Sequence, residues 1–358
     1  MLARVRPRRC LGTGRLCDPK GNELMTDCAV ITPVRLARPT QLRTLFEMIA
    51  SLRAQTDGSW HLVLINDGSP LPDAPDAFAA VRSELGDRVT LLHRKRNSGQ
   101  GVCRNIGARW AWREAIPYCL YLDDDDIADP RRVATVRRTF HERPDAAFIY
   151  SSFALIDEEG QLAPRHLLAP SIREILDSHD KIPPTGPDAW REIAIRTGYT
   201  TLTSVVSVRT WLALAHPFAD VYVSEDQHAW LRMTAATDGV VFDADTRGQY
   251  RINTDGSGSS VRKRIGIHFY EQKAWVDTHG FIAAARTSLN RNRVTPAELP
   301  GLLSAYYDRS ARTMASENRW QAAEEYLALA REASRGVGLE VLALLPQRPQ
   351  LFRPISGG

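Results

Sequence analysis

Short apolar runs alternate with helical patterns along the first two-thirds of the chain, and this alternation limits the folds that the chain can adopt. Apolar runs typical of buried strands recur at residues 28–34, 61–67, 89–94, 119–123, 146–152, 200–208 and 239–246. Helically spaced apolar side chains separate the first two runs, at Leu42, Leu45, Phe46, Ile49 and Leu52. Strands separated by helices predict an α/β fold with a mostly parallel central sheet flanked by helices.

Four consecutive aspartates, 123–126, follow one of these runs in the stretch YCLYLDDDDIADPRR. Asp129 and Pro130 then have the pattern of a helix start, an N-cap followed by proline at the first helical position. The acids therefore lie where a strand passes into a helix, and ligands bind at the carboxyl ends of strands in open α/β sheets. Carboxylates this close repel one another, so the run is either a metal site or a solvated acidic loop.

A glycine-rich basic segment, residues 93–111, precedes and enters a helix predicted at about 103–114. It lacks the G-x-G-x-x-G spacing of dinucleotide-binding loops because position 104 is Arg, and no G-K-[ST] of a P-loop follows. Helix N-terminal N–H groups and arginine side chains both suit phosphate, which makes Arg104 a candidate ligand of an anion. The alternative is a solvated basic turn.

Three further segments have either a chemical or a purely structural explanation. Asp67, in LVLINDGSP, ends an apolar run and can accept a hydrogen bond from a base or ribose, or it belongs to an ordinary turn. Glu225 and Asp226 open a predicted helix and supply either a general base or partners for the helix dipole. The loop 250–264 either closes over an anionic leaving group or is a flexible linker.

The charge of the chain is concentrated at its start. Of the 46 basic and 42 acidic residues, six basic and two acidic ones lie in residues 1–24, so the remainder is neutral and gives no support to nucleic-acid binding. We interpret residues 1–24 as a disordered leader or as translated upstream sequence before Met25. Five cysteines without metal-ligand spacing, and no apolar stretch of about 20 residues, predict a cytoplasmic protein without a transmembrane segment, either free or peripheral to the inner face of a membrane.

In chain order, the motifs NDGS, RNSG with RNIG, LDDDDIADP and EDQHAWLR resemble those of the family 2 glycosyltransferases, which have the GT-A fold. The resemblance covers about Ala29 to Arg264. It implies a GT-A (Rossmann-like) domain at residues 25–285. Residues 286–358 are predicted to form a small C-terminal α-helical hairpin, similar to a single tetratricopeptide unit, and a tail.

The resemblance also implies which residues bind the nucleotide-sugar donor. Asp67 would recognise the nucleotide base, with Thr32 and Pro33 lining its pocket, and Arg104 would lie near the nucleotide or its diphosphate. The usual Asp-Asp-Gly-Ser turn begins with Asn66 here, so the base of the donor stays open.

The D-x-D motif of the family matches Asp123 and Asp125. By this resemblance Asp125, with Asp123, would bind Mn²⁺ or Mg²⁺ together with the donor diphosphate. Asp123 and its neighbour Asp124 would hold the ribose or the waters of the metal.

The last motif supplies the predicted catalytic base, Asp226, while Glu225 and Trp230 would contact the acceptor or support the base. The resemblance implies a metal-dependent, inverting transfer of a single sugar from a nucleoside-diphosphate sugar to a hydroxyl acceptor, which could be a glycan, lipid-linked or small-molecule hydroxyl. One alternative is a nucleotidyltransferase on a similar fold, although the first strand lacks the glycine-rich loop of that class. The other is a catalytically silent binding or scaffold protein.

Overall fold

The computed structural model describes residues 26–168, 170–197, 201–253, 265–266 and 269–336. The predicted leader at residues 1–24, the glycine- and serine-rich loop at 254–264 and the tail from residue 337 lie outside the described residues.

A seven-stranded sheet forms the centre of the protein. Its strands are β1 (Cys28–Val34), β2 (Trp60–Asp67), β3 (Val89–Arg94), β4 (Tyr118–Tyr121), β5 (Ala146–Ile156), β6 (Val206–Arg209) and β7 (Gly239–Arg251). They lie in the order β3-β2-β1-β4-β6-β5-β7. Only β6 runs antiparallel to its neighbours, β4 and β5. The prediction of a mostly parallel sheet flanked by helices is confirmed.

Helices cover both faces of the sheet. They are α1 (Thr40–Arg53), α2 (Ala74–Leu85), α3 (Gln100–Arg113), α4 (Arg132–Glu142), α5 (Pro170–Lys181), α6 (Ala189–Glu192), α7 (Thr210–Ala215), α8 (Glu225–Ala235), α9 (Phe269–Asn290), α10 (Leu299–Ser316) and α11 (Trp320–Ser334). One face packs on α1, α2 and α4, and the other on α3 and α6–α11. All seven residues of β1 are buried, as expected for a parallel strand covered on both sides.

Helix α3 packs directly on the central strand β1. A Cβ added at Gly107 would lie 2.4 Å from Cγ2 of Ile31, so only glycine allows this approach. The pairing of β1 with β4 stops at Ile31 and Tyr121, whereas its pairing with β2 continues to Val34. The missing N–H of Pro33 therefore removes no hydrogen bond to β4, and the edge of the sheet beyond Ile31 is left for the acidic run.

Several predicted boundaries were wrong by a few residues. Strand β4 ends at Tyr121 instead of Asp123, and β6 begins only at Val206, after a 3₁₀ turn. Helix α4 begins at Arg132 rather than at Pro130. The predicted N-cap, Asp129, lies earlier and its Oδ1 accepts the N–H of Arg131 at 2.8 Å.

The C-terminal helical hairpin is formed by α10 and α11, which the predicted break near Asn318 separates. The predicted domain limit between residues 285 and 286 falls inside α9. On α11, Ala323 and Ala330 are buried, whereas Trp320 is 63% and Leu327 is 39% exposed. Within the described residues, no helix combines the length and apolar character needed to cross a membrane.

His61 on β2 makes the folding stability depend on pH. Burial and the nearby Arg88 lower the pKa of His61 to about 4, from about 6.5 in the unfolded chain. Between these values only the unfolded chain binds the proton, so the free energy of unfolding should fall as the pH drops from 6.5 to 4. The His61 contribution to this loss is at most about 3 kcal/mol.

Urea denaturation of His61→Gln across this pH range should therefore show a shallower pH dependence than the wild type. The control is His141→Gln, because His141 is exposed on α4. Equal pH dependence of His61→Gln and the wild type would contradict the assignment.

Candidate active site

The four aspartates after β4 occupy different environments, because the chain turns at Asp124 and Asp125 instead of staying extended. Asp126 is buried; its carboxylate accepts a short hydrogen bond from Ser204 Oγ and another, at 2.9 Å, from the N–H of Arg251. Asp123 and Asp124 are half-buried, and Asp125 is exposed. The turn leaves Asp125 as the acid most open to a ligand.

Arg104 on α3 joins the acidic run to the start of α8. Its side chain is only 1% exposed, and it donates to Asp123 Oδ1 at 2.7 Å and to Glu225 Oε1 at 2.8 Å. Burial disfavours its charge, but the two carboxylates outweigh this and hold the pKa of Arg104 above its usual value. A shared cation thus holds together two predicted motifs that lie about a hundred residues apart in the chain.

Asn105, the next residue of α3, fixes the segment that leads into α8. Its side chain donates to the carbonyl of Phe218 at 2.9 Å and accepts the N–H of Phe218 at 2.8 Å. One turn earlier, a Cβ on Gly101 would lie 3.0 Å from the carbonyl of Ala219 and 3.1 Å from Cγ of Glu225. Both residues lie in the glycine-rich basic segment, but their spacing there does not indicate this role.

Asp67 lies at the same edge of the sheet and holds the start of α3. Its carboxylate is buried and accepts the N–H groups of Ser98 and Gly99 at 2.8–3.0 Å, with Arg94 Nε 3.5 Å away. Of the predicted pocket residues on β1, Thr32 is fully buried and Pro33 is buried beside β2. These three residues form the floor of this edge.

Asp226 is half-buried in the first turn of α8. Its Oδ1 accepts the N–H of Gln227 at 2.8 Å, and its Oδ2 lies 3.4 Å from the hydroxyl of Thr203. Burial and the neighbouring charge of Asp226 raise the pKa of Glu225, whereas Arg104 lowers it. The structure therefore brings the predicted base, through Glu225 and Arg104, beside the acidic run.

Trp230 lies one turn further along α8 and is completely buried. Its ring packs against Tyr121, Phe148 and Phe218, with ring centroids 5.3–5.7 Å apart. This burial leaves support of α8, rather than contact with an acceptor, as the role that we propose for Trp230.

A metal ion at the acidic run would need ligands besides protein side chains. Among the described residues, no group of three or more His, Cys, Asp or Glu side chains could by itself hold a metal ion. Mg²⁺, however, is usually bound by one or two carboxylates together with phosphate oxygens and water. Desolvation and repulsion from Asp123 raise the pKa of Asp125 to about 6; because Asp125 is exposed, we attribute this chiefly to the repulsion, which a cation would relieve. Asp125 with Asp123 therefore fits a site that a phosphate ligand completes.

Part of the chain is similar to known proteins. Residues 30–200 match the family model "Glycosyl transferase family 2". The uncharacterized protein y4gI of Sinorhizobium fredii is 30% identical over 148 residues, which are 41% of this chain and 16% of that protein. The succinoglycan biosynthesis protein ExoW of Rhizobium meliloti is 33% identical over 110 residues, which are 30% of this chain and 31% of ExoW. The chain thus spans less than a third of the length of either relative.

A solved structure shares the fold. It is TarS 1–349 of S. aureus in complex with UDP-GlcNAc, with a TM-score of 0.53, 15% sequence identity, and coverage of 87% of this chain and 92% of that chain. The matched region includes Asp67, Arg104 and the four aspartates and ends before Asp226, whereas the likeness of fold extends over 87% of the chain. The resemblance found in the sequence is confirmed, since residues 30–200 match the model of glycosyl transferase family 2.

Proposed function

We propose that this protein transfers a single sugar from a nucleoside-diphosphate sugar to a hydroxyl acceptor. The observation that supports this most strongly is the pair of ion pairs made by Arg104, which hold Asp123 of the acidic run and Glu225, next to the base Asp226, at one edge of the sheet. A donor-binding side and a proton-accepting side are thereby fixed relative to each other, as group transfer requires. Neither a nucleotidyltransferase nor a silent scaffold would need a carboxylate such as Asp226 beside the acidic run.

The donor binds over the carboxyl ends of β1, β2 and β4. Asp67 and Arg104 are both engaged with neighbouring protein groups, so they shape the pocket by fixing the start of α3 and the position of Asp123. Thr32 and Pro33 form its floor, and Asp123 and Asp124 hold the ribose side of the nucleotide. This differs from the sequence-based prediction, in which Asp67 recognised the base and Arg104 lay near the nucleotide or its diphosphate.

The diphosphate lies beside Asp125. Asp125, with Asp123 next to it, would hold Mn²⁺ or Mg²⁺, and such an ion offsets the negative charge that gathers on a departing diphosphate. The exposure of Asp125 supports this assignment, because its carboxylate is accessible to an incoming ligand. Asp126 is buried and bound to Ser204 and Arg251, so its role is to fix the shape of the run.

Asp226 accepts the proton of the acceptor hydroxyl. As that oxygen attacks the anomeric carbon, the bond from the carbon to the diphosphate oxygen breaks, and the proton moves to a carboxylate oxygen of Asp226. One in-line displacement of this kind inverts the anomeric centre. General-base assistance of this type contributes about 10²- to 10⁴-fold to the rate.

Replacing the base should abolish transfer and spare donor binding. We expect Asp226→Asn to lower kcat by at least about 10²-fold, because the amide cannot accept the proton. Release of nucleoside diphosphate from a panel of nucleotide sugars, with sugar hydroxyl acceptors, measures the rate, and thermal shift with the diphosphate measures binding. The control is Asp220→Asn, an exposed acid in the same segment. Unchanged turnover of Asp226→Asn would rule out this role.

The metal assignment has its own test. A nucleoside diphosphate should raise the melting temperature of the wild type, and Mn²⁺ should increase that shift. In Asp125→Ala only the metal-dependent part should disappear, because the carboxylate that faces the ion is gone. Asp76→Ala, which removes an exposed acid on α2, serves as the control. An equal metal-dependent shift in Asp125→Ala and the wild type would refute the assignment.

The two ion pairs of Arg104 should contribute far more to the free energy of unfolding than a surface ion pair does. Arg104→Met leaves Asp123 and Glu225 without their shared cation, and we expect the free energy of unfolding in urea to fall by about 3–5 kcal/mol. The control is Arg53→Met, which loses an ion pair with Glu84 on the surface and should cost less than about 1 kcal/mol. A similar cost for both variants would show that the bridge does not hold the site together.

A further inference from the structure

We propose that helix α9, through Asp277 and Ser224, positions the general base Asp226. This inference rests on the proposed function and extends it to two positioning residues that lie outside the family match. Both act through the backbone that carries Asp226, and neither is expected to touch the reacting atoms.

Ser224 has an unusual backbone conformation immediately before α8. Its φ of 57° and ψ of 25° lie in the left-handed region, which side chains other than glycine rarely adopt. Such strain persists only where the surroundings hold it, and it gathers at functional sites. The conformation of Ser224 sets the direction in which the first turn of α8 starts, and Asp226 is the second residue of that turn.

Asp277 of α9 supplies the contact that holds Ser224. Ser224 Oγ donates to Asp277 Oδ1 at 2.5 Å, and the other oxygen of Asp277 receives a short ion pair from Lys273, one helical turn earlier. Lys273 Nζ also lies 3.5 Å from Ser224 Oγ. The side chains of Lys273 and Asp277 are only 16% and 14% exposed, so solvent competes little for these contacts.

The element that carries Asp277 is held firmly along α8. A Cβ added at Gly280 would lie 2.9 Å from Cα of His228, so the backbones of α8 and α9 are in close contact there. Further along, Arg291 donates to the carbonyl of Ala235 at 3.1 Å. The contacts follow the same order along both helices, so α9 runs beside α8 in the same direction. They extend from the start of α8 to its end.

The start of α8 is therefore held from two sides. Arg104 of α3 binds Glu225, and Asp277 of α9 binds Ser224, the residues on either side of the helix start. A displacement of about 1 Å in a reacting group can cost roughly 10²-fold in rate. Loss of the contact with Asp277 should thus lower kcat, whereas Asp123, Asp125 and the floor of the donor pocket keep their own contacts, so the KM for the nucleotide sugar stays unchanged.

The test compares Asp277→Ala and Ser224→Ala with Asp277→Asn. The two alanine variants lose the hydrogen bond, and we expect kcat to fall about ten- to a hundredfold with KM for the donor within about twofold. Asp277→Asn keeps an oxygen that accepts from Ser224 and should regain most of kcat. A general loss of structure would change KM and kcat together and would not be rescued in this way.

Asp238→Ala is the matched control. Asp238 pairs with Arg291 and Arg293 at the far end of the two helices, at 2.9 and 2.6 Å, so this variant also removes ion pairs of the C-terminal region. It should retain the kcat of the wild type. If Asp277→Ala and Ser224→Ala also retain it while Asp226→Asn is inactive, the positioning role is wrong and the proposed function stands.

Amide hydrogen exchange tests the same inference without any turnover. The first turn of α8 should exchange faster in Asp277→Ala and Ser224→Ala than in the wild type and Asp238→Ala. If the alanine variants exchange faster but the wild type transfers no sugar, the contact between Asp277 and Ser224 does hold the start of α8. The proposed function is then wrong. Unchanged exchange of the first turn of α8 in both alanine variants would overturn the inference, whether or not the protein transfers a sugar.

Discussion

The buried guanidinium of Arg104 is the contact on which the arrangement of this site depends. An isolated buried cation is costly, and Arg104 is stable there because two carboxylates approach it from different parts of the chain. Each carboxylate in turn needs the arginine, since Asp123 otherwise adds to the repulsion of the acidic run and Glu225 is buried beside Asp226. The three groups are therefore stable only together, which fixes the distance between two halves of the fold.

The acidic run shows how one composition supports several tasks. Asp126 faces inward and is satisfied by Ser204 and the backbone of Arg251, so it closes the turn. Asp123 faces α3, and Asp125 faces solvent. Three of the four identical side chains thus differ, as an internal anchor, a partner of Arg104 and a solvent-exposed acid, because the chain turns at Asp124 and Asp125 instead of alternating as a strand would.

The strands and the sheet could be predicted because β1 and β2 are mostly apolar runs, a pattern typical of parallel strands that are covered on both faces. Strand ends were less predictable, because nothing in the sequence of aspartates after β4 indicates where the pairing with β1 stops.

The residues of the site could be predicted as a set of motifs, but the contacts between them could not. Arg104 was assigned to the donor, whereas its partners lie 19 and 121 residues away, and sequence spacing does not identify partners at such distances. No sequence pattern predicted the hydrogen bond between Ser224 and Asp277, because it forms only when α9 packs on α8.

Asn105 makes two hydrogen bonds with the backbone of Phe218, and Gly101 leaves little space beside it. These contacts have a consequence for recombination between relatives. A chimaera that takes its N-terminal half from one parent and its C-terminal half from another must inherit α3 and the segment 218–225 from the same parent. A crossover between them would join surfaces that never evolved against each other, even if every catalytic side chain were retained. Exchange of C-terminal segments between relatives is therefore best attempted with grafts that leave this contact intact.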